Sequence, residues 1–162
     1  MVGHVRDLLR EVNGLVLGYE ALPDEVACPI GSALPRLGHD GSMTLHRVPD
    51  RGGPTDRTGD GPRHAFLETH ALGFRQPPVD APEIAPADLA AVLVPGRLFD
   101  HDGYRLGRGG GHYDRLLPLL RPGTPVIGLT TQARVVERLP REAHDVPMTH
   151  LATEQGIIPV SS

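Results

Sequence analysis

Short apolar runs separated by turn residues, rather than long amphipathic stretches, dominate the chain. Gly14 to Tyr19 (GLVLGY) is an apolar run of strand length. The polar segment before it, His4 to Asn13, places Leu8, Leu9 and Val12 at helical spacing. Met43 to Val48 (MTLHRV) alternates apolar and polar positions, as a half-buried strand does. Ala90 to Val94 and Val126 to Leu129 are continuous apolar runs bounded by Pro or Gly, which suits buried parallel strands. Asp114 to Leu120 (DRLLPLL) predicts a short helix after a glycine run, its regularity limited by Pro118, and Met148 to Thr153 predicts a further strand. Buried central strands alternating with short helices predict an α/β fold, here a single three-layer α/β/α sandwich with a mostly parallel central sheet.

Length and composition narrow this picture. A chain of 162 residues fits one domain, residues 1–162, large enough to fold on an apolar core without a disulfide or zinc staple. All 16 basic residues are arginine, and the absence of lysine excludes a Walker A phosphate loop and a lysine Schiff base. A net charge of −4 with no basic run argues against non-specific nucleic-acid binding. The single Cys28 forms no internal disulfide and supplies no paired thiolate motif, and the nine histidines show no metal-ligand spacing. The longest apolar run, Leu89 to Val94, falls far short of the roughly 20 residues needed to span a bilayer. Arg6, Asp7, Arg10 and Glu11 leave no apolar signal core near the start. The expectation is a cytoplasmic monomer with no membrane partner. The chain's 20 glycines and 17 prolines are unevenly placed: Pro49 to Arg63 holds no aliphatic side chain and predicts a flexible Gly/Pro-rich surface loop, 49–63.

Chemistry concentrates in Leu98 to Leu117, LFDHDGYRLGRGGGHYDRLL. His101-Asp102-Gly103 supplies turn residues between two strand segments. Gly107, Gly109, Gly110 and Gly111 surround Arg108 just before the expected helix. Glycines let successive backbone N–H groups converge, and Arg105 and Arg108 add bidentate contacts for phosphate or carboxylate oxygens. Together they describe an anion cradle. The same glycines also suit a tight, flexible turn, and composition alone leaves both readings open. Asp114 is open in the same way between stabilising the first helical turn and a role in a site.

Val94 to Arg115 reads VPGRLFDHDGYRLGRGGGHYDR. This run of 22 residues closely resembles the 5-formyltetrahydrofolate cyclo-ligase family, whose corresponding pattern is V-P-G-x-x-F-D-x-x-G-x-R-L-G-x-G-x-G-Y-Y-D-R. The resemblance extends outward through Tyr19 to Val26, Leu34-Pro35-Arg36, Gly73-Phe74-Arg75-Gln76-Pro77 and Leu139-Pro140-Arg141-Glu142-Ala143-His144-Asp145. It implies ATP-dependent cyclisation of 5-formyltetrahydrofolate to 5,10-methenyltetrahydrofolate through phosphorylation of the formyl oxygen. By the same resemblance, Arg105, Leu106, Gly107, Arg108, Gly109, Gly110, Gly111, His112 and Tyr113 would cradle ATP. Glu20, Glu25, Arg108, Gly109, Gly110, Gly111 and His112 would face the folate. Arg108 and Tyr113 would be catalytic, and Asp114 and Asp145 would hold Mg2+.

Some positions depart from the family pattern. His112 stands where the first tyrosine of Tyr-Tyr-Asp is usual, Ala27-Cys28 where Asp-Thr is common, and Thr149 where a second late aspartate is common. The family usually begins with a helix carrying a Lys-x-x-x-Arg element that touches the ATP phosphates, whereas this chain reaches its first strand by residue 15. The alternative expectation is therefore a non-catalytic relative that binds folate or nucleotide and lacks that N-terminal phosphate cation. A sugar-phosphate isomerase-like enzyme, another chemistry found on layered sheets, is the weaker third reading.

Overall fold

The computed structural model describes residues 1–28, 31–48 and 66–160, so the expected 49–63 loop lies outside the described residues. Helix α1 (Val2–Leu8) leads into β1 (Leu15–Leu17), β2 (Ala33–Leu37) and β3 (Met43–Arg47). Two short strands, β4 (Glu68–Thr69) and β5 (Arg75–Gln76), form a hairpin before β6 (Leu89–Val94). A second hairpin, β7 (Leu98–Asp100) with β8 (Arg105–Leu106), runs into α2 (His112–Leu116). Four strands follow: β9 (Val126–Leu129), β10 (Val135–Val136), β11 (His150–Ala152) and β12 (Ile157–Pro159).

Seven of these strands form one sheet in the order β12-β11-β9-β6-β1-β2-β3. The strands from β2 through β1, β6 and β9 to β11 are parallel, and antiparallel β3 and β12 close the two edges. The α/β class and the mostly parallel sheet follow the sequence expectation. Alternation along each strand sends side chains to two apolar faces. Val16, Ala91, Leu93, Ile127 and Leu129 face α1, where Val5 is fully buried and Leu8, Leu9 and Val12 pack at the margin. Leu17, Val92, Val94 and Leu151 face the opposite layer, which Phe99, Leu116, Leu117 and Met148 complete. Each fully buried Leu or Ile contributes about 1.5–3 kcal/mol relative to exposure. The outer layers are thin: α1 has seven residues and α2 five. The second helix begins at His112, earlier than the expected Asp114, and gives way to a 3-10 turn over Leu117–Leu119. Pro118 has no N–H to continue the helical ladder.

Two features of the fold place the glycine-rich segment. Phe99 is fully buried, and its ring fills space that a side chain at Gly96 or Gly128 would need: a Cβ there would come within 2.7 or 2.4 Å of ring carbons. The β7–β8 hairpin is thereby keyed into the sheet at β9. On the other side, buried Gln76 accepts a 3.1 Å hydrogen bond from the Leu37 N–H, and Arg36 donates to the Pro77 carbonyl at 2.6 Å. These bonds pin the β4–β5 hairpin, which carries Phe74 and Arg75, beside the end of β2. Among the described residues no helix is long and apolar enough to cross a membrane.

Candidate active site

In open parallel sheets, ligand clefts form beyond the carboxyl ends of the strands. Here the chain leaving β1 supplies Tyr19 to Glu25, and the chain leaving β6 supplies Pro95 and Gly96. Between them opens a cleft of about 500 Å³, lined by every residue from Arg105 to Asp114 together with Glu25 and Asp145. A smaller cavity of about 110 Å³ adjoins it, walled by Leu22, Leu37, Met43 and Phe74, with Glu20 and Arg75 as polar groups. Glu25, Pro95, His112 and Tyr113 line both spaces and form the waist between them. All the residues expected at a site thus gather around one two-lobed cleft, with Glu20 alone confined to the smaller lobe.

The glycine segment is shaped by backbone freedom and by ion pairs. Gly109 and Gly111 have φ of 82° and 62°, conformations that side-chain-bearing residues rarely adopt. Arg115 donates to the Gly110 carbonyl at 3.0 Å and holds the turn against α2. Arg105 makes a bidentate pair with Asp114, at 3.0 and 2.8 Å, and the two side chains are only 8 % and 15 % exposed. The Arg105 guanidinium also lies 5.6 Å from the centroid of the Tyr113 ring. With α2 only five residues long, the positive character of the cradle comes mainly from its arginines.

Arg108 is half exposed and reaches across the cleft mouth, pairing with Asp24 and lying 3.7 Å from Glu25. Asp24 gathers further arginines: Arg97 at 3.5 Å on its carboxylate and Arg134 donating to its carbonyl at 2.5 Å. Glu25 is largely buried and accepts the Leu22 N–H at 3.0 Å, so its carboxylate is fixed at the waist. Sequence reading assigned Asp24 no role of its own beside Glu25. It is the anchor of Arg108, through a pairing that spans 84 residues of chain. Arg141, Glu142 and His144 also line the large lobe and were passed over. The Leu139 to Asp145 match that supplied Asp145 also held Glu142 and His144, whereas Arg141 stands at an open position of it.

Burial sets the protonation of the waist. The Tyr113 ring borders the cleft, but its hydroxyl is buried with no hydrogen-bond partner among the described residues. Desolvation, reinforced by nearby Cys28 and Glu25, pushes this phenol far above its ordinary range, so it stays protonated as an uncommitted donor. Tyr19 is raised mainly by burial too, and its hydroxyl donates to the Val26 carbonyl at 2.7 Å. His112 is lowered, by burial first and then by the charge of Arg115, which favours the neutral imidazole. An unsatisfied buried hydroxyl costs about 1–3 kcal/mol. Tyr113→Phe is therefore expected to raise the stability of the unliganded protein by about 1 kcal/mol. Urea unfolding checks this, and a lowered midpoint would show that the hydroxyl is satisfied after all.

The two carboxylates expected to hold a metal, Asp114 and Asp145, both line the large lobe. Both Asp114 oxygens face Arg105, whereas Asp145 accepts the Glu142 N–H at 2.7 Å through Oδ2 and leaves Oδ1 4.0 Å from the His144 ring. Among the described residues no group of three or more His, Cys, Asp or Glu side chains is arranged to hold a metal ion. Protein ligands alone would not build a closed site here.

The sequence profile of the 5-formyltetrahydrofolate cyclo-ligase family matches residues 34–154. A 5-formyltetrahydrofolate cyclo-ligase of Mycolicibacterium smegmatis is 40 % identical over 100 residues, covering 59 % of this chain and 50 % of the relative. One from Escherichia coli K12 is 35 % identical over 93 residues, covering 56 % and 51 %. The chain thus spans about half the length of the curated relatives it matches. The solution structure of Aquifex aeolicus 5,10-methenyltetrahydrofolate synthetase superposes with a TM-score of 0.70 at 28 % identity, covering 99 % of this chain and 81 % of that one. The Mycoplasma pneumoniae synthetase shares the fold, with a TM-score of 0.61 at 19 % identity over 97 % and 80 % of the two chains.

Proposed function

The chain belongs to the 5-formyltetrahydrofolate cyclo-ligase family, and from that premise we propose that it converts 5-formyltetrahydrofolate and ATP to 5,10-methenyltetrahydrofolate, ADP and phosphate. The observation that carries this reading is the waist: two cavities of unequal size and polarity meet at Glu25, Pro95, His112 and Tyr113. The small lobe, with apolar walls and carboxylates at Glu20 and Glu25, suits a flat ring bearing N–H donors. The large lobe, with Arg105, Arg108 and the glycine N–H groups, suits a triphosphate. A formyl oxygen on the ring and the terminal phosphate would then face each other at the waist.

In this scheme the formyl oxygen attacks the γ-phosphorus and ADP departs. N10 then closes on the activated carbon, N10 loses its proton, and phosphate leaves. Phosphoryl transfer of this kind depends on positioning and charge stabilisation more than on covalent participation by the protein. Arg108 would neutralise charge gathering on the transferred phosphate, moving off Asp24 to do so. Glu25 would hold the ring by accepting its N–H donors. Tyr113 would donate its uncommitted hydroxyl to a substrate oxygen, and neutral His112 would border both substrates.

The residues fit Mg2+ bound largely through water and phosphate, since that ion takes one or two carboxylates and keeps several waters. Asp145 would supply a direct oxygen, and Asp114, committed to Arg105, would offer only its outer lone pairs. Bound there, the ion would supply charge neutralisation at the phosphates. The reading includes a monomer, acting on small molecules in the cytoplasm.

The test is the methenyl-folate absorbance band. We expect it to rise only when 5-formyltetrahydrofolate, ATP and Mg2+ are all present. A flat trace with calorimetric binding of folate or ATP intact would replace this reading with that of a non-catalytic binder.

A further inference from the structure

Asp100, at the end of β7, is a fully buried carboxylate. One oxygen accepts the N–H groups of Asp102 and Tyr104 at 3.1 and 2.9 Å, closing the turn of the β7–β8 hairpin. The other accepts the Leu139 N–H at 3.0 Å and Arg141 at 3.2 Å. Arg141 is clamped a second time by Asp102, and its guanidinium stacks 4.1 Å from the centroid of the Tyr104 ring. Two segments about 40 residues apart in sequence, the hairpin that feeds the glycine loop and the stretch ending in Asp145, are thus bolted together on one wall of the large lobe. A charge held by two carboxylates and a ring is committed to its neighbours, so its contribution to a ligand is indirect.

We propose that Arg141 is a positioning residue: through Asp100, Asp102 and Tyr104 it fixes residues 139–145 against the glycine hairpin and so sets the phosphate end of the cleft. This rests on the cyclo-ligase reading for the identity of the phosphate ligand, but not for the contact itself. Asp100 keeps three backbone donors without Arg141, so the fold is expected to survive its removal. The small lobe shares none of these contacts, which gives the proposal a directional signature.

The experiment is amide hydrogen exchange on the unliganded protein, paired with calorimetry of ATP–Mg2+ and of 5-formyltetrahydrofolate. In Arg141→Ala, the amides of residues 139–145 are expected to exchange faster while those of β1, β6 and β9 hold. ATP affinity is expected to fall about tenfold, as misplaced binding groups do, with folate affinity within about twofold. Arg141→Lys, which keeps the charge but not the planar fork and stack, should fall between wild type and Arg141→Ala. Unchanged exchange in residues 139–145 would overturn the proposal whether or not ATP binds. Equal losses for both ligands, with Arg141→Lys no better than Arg141→Ala, would overturn it as well. Faster local exchange in a protein whose wild type binds no ATP would uphold the positioning contact and refute the nucleotide reading.

Discussion

Arg105→Ala is expected to lower folding stability by about 3 kcal/mol and to abolish measurable ATP binding. The stability loss comes from what is left behind. Arg105 and Asp114 are both nearly buried and joined by two hydrogen bonds at 3.0 and 2.8 Å. Removing the guanidinium strands a carboxylate that water reaches poorly, and an uncompensated buried charge costs far more than the intact pair contributes. The binding loss comes from the cradle itself, because the pair staples β8 to the first turn of α2 and so fixes the glycine turn between them. Guanidinium chloride unfolding of the single variants and of Arg105→Ala/Asp114→Ala separates the two effects. The double variant should recover part of the stability, since no lone charge remains, but should still fail to bind ATP. A wild-type unfolding midpoint for Arg105→Ala would show that the pair is solvated and contributes nothing.

Glu25→Gln should weaken 5-formyltetrahydrofolate binding by about tenfold to a hundredfold, the range of one or two charge-assisted hydrogen bonds. Glutamine keeps the shape and can still accept the Leu22 N–H, which fixes this side chain at 3.0 Å, so the local backbone has no reason to move. What changes is the charge offered to ring N–H donors. ATP binding should stay within about threefold of wild type, because Arg108 keeps Asp24 as its closer partner when the Glu25 charge is removed. Parallel titrations of the two ligands test the assignment. A loss confined to ATP would move Glu25 to the nucleotide side, and no loss for either would remove it from the site.

The sequence made the sheet legible where strands are long or strongly apolar, as in Leu89 to Val94 and Val126 to Leu129. It was weaker where strands span two residues, as in β4, β5, β8 and β10, because periodicity needs more positions than they offer. The glycine segment was legible as a cradle because backbone demands are written locally. Its partners were not. Asp24 holding Arg108, Asp114 turned onto Arg105, and Asp100 binding Arg141 all join residues that only the tertiary fold brings together. The thin helical layers were also hard to foresee, since the outer surfaces of this sheet are covered partly by turns and loops that carry no periodic signal.

The packing of Phe99 has a consequence for how such a sequence can drift. Its ring occupies the shadow of two missing side chains, one at the turn after β6 and one within β9. Enlarging either glycine alone drives a carbon into an aromatic ring that has nowhere to retreat, and shrinking the ring alone opens a void under the hairpin. Positions 96, 99 and 128 are therefore free to change only as a set. A relative that has lost the aromatic side chain can regain volume at the glycines, and a designer who wishes to re-aim the phosphate-facing hairpin has to begin with that triplet, in the core and away from the cleft.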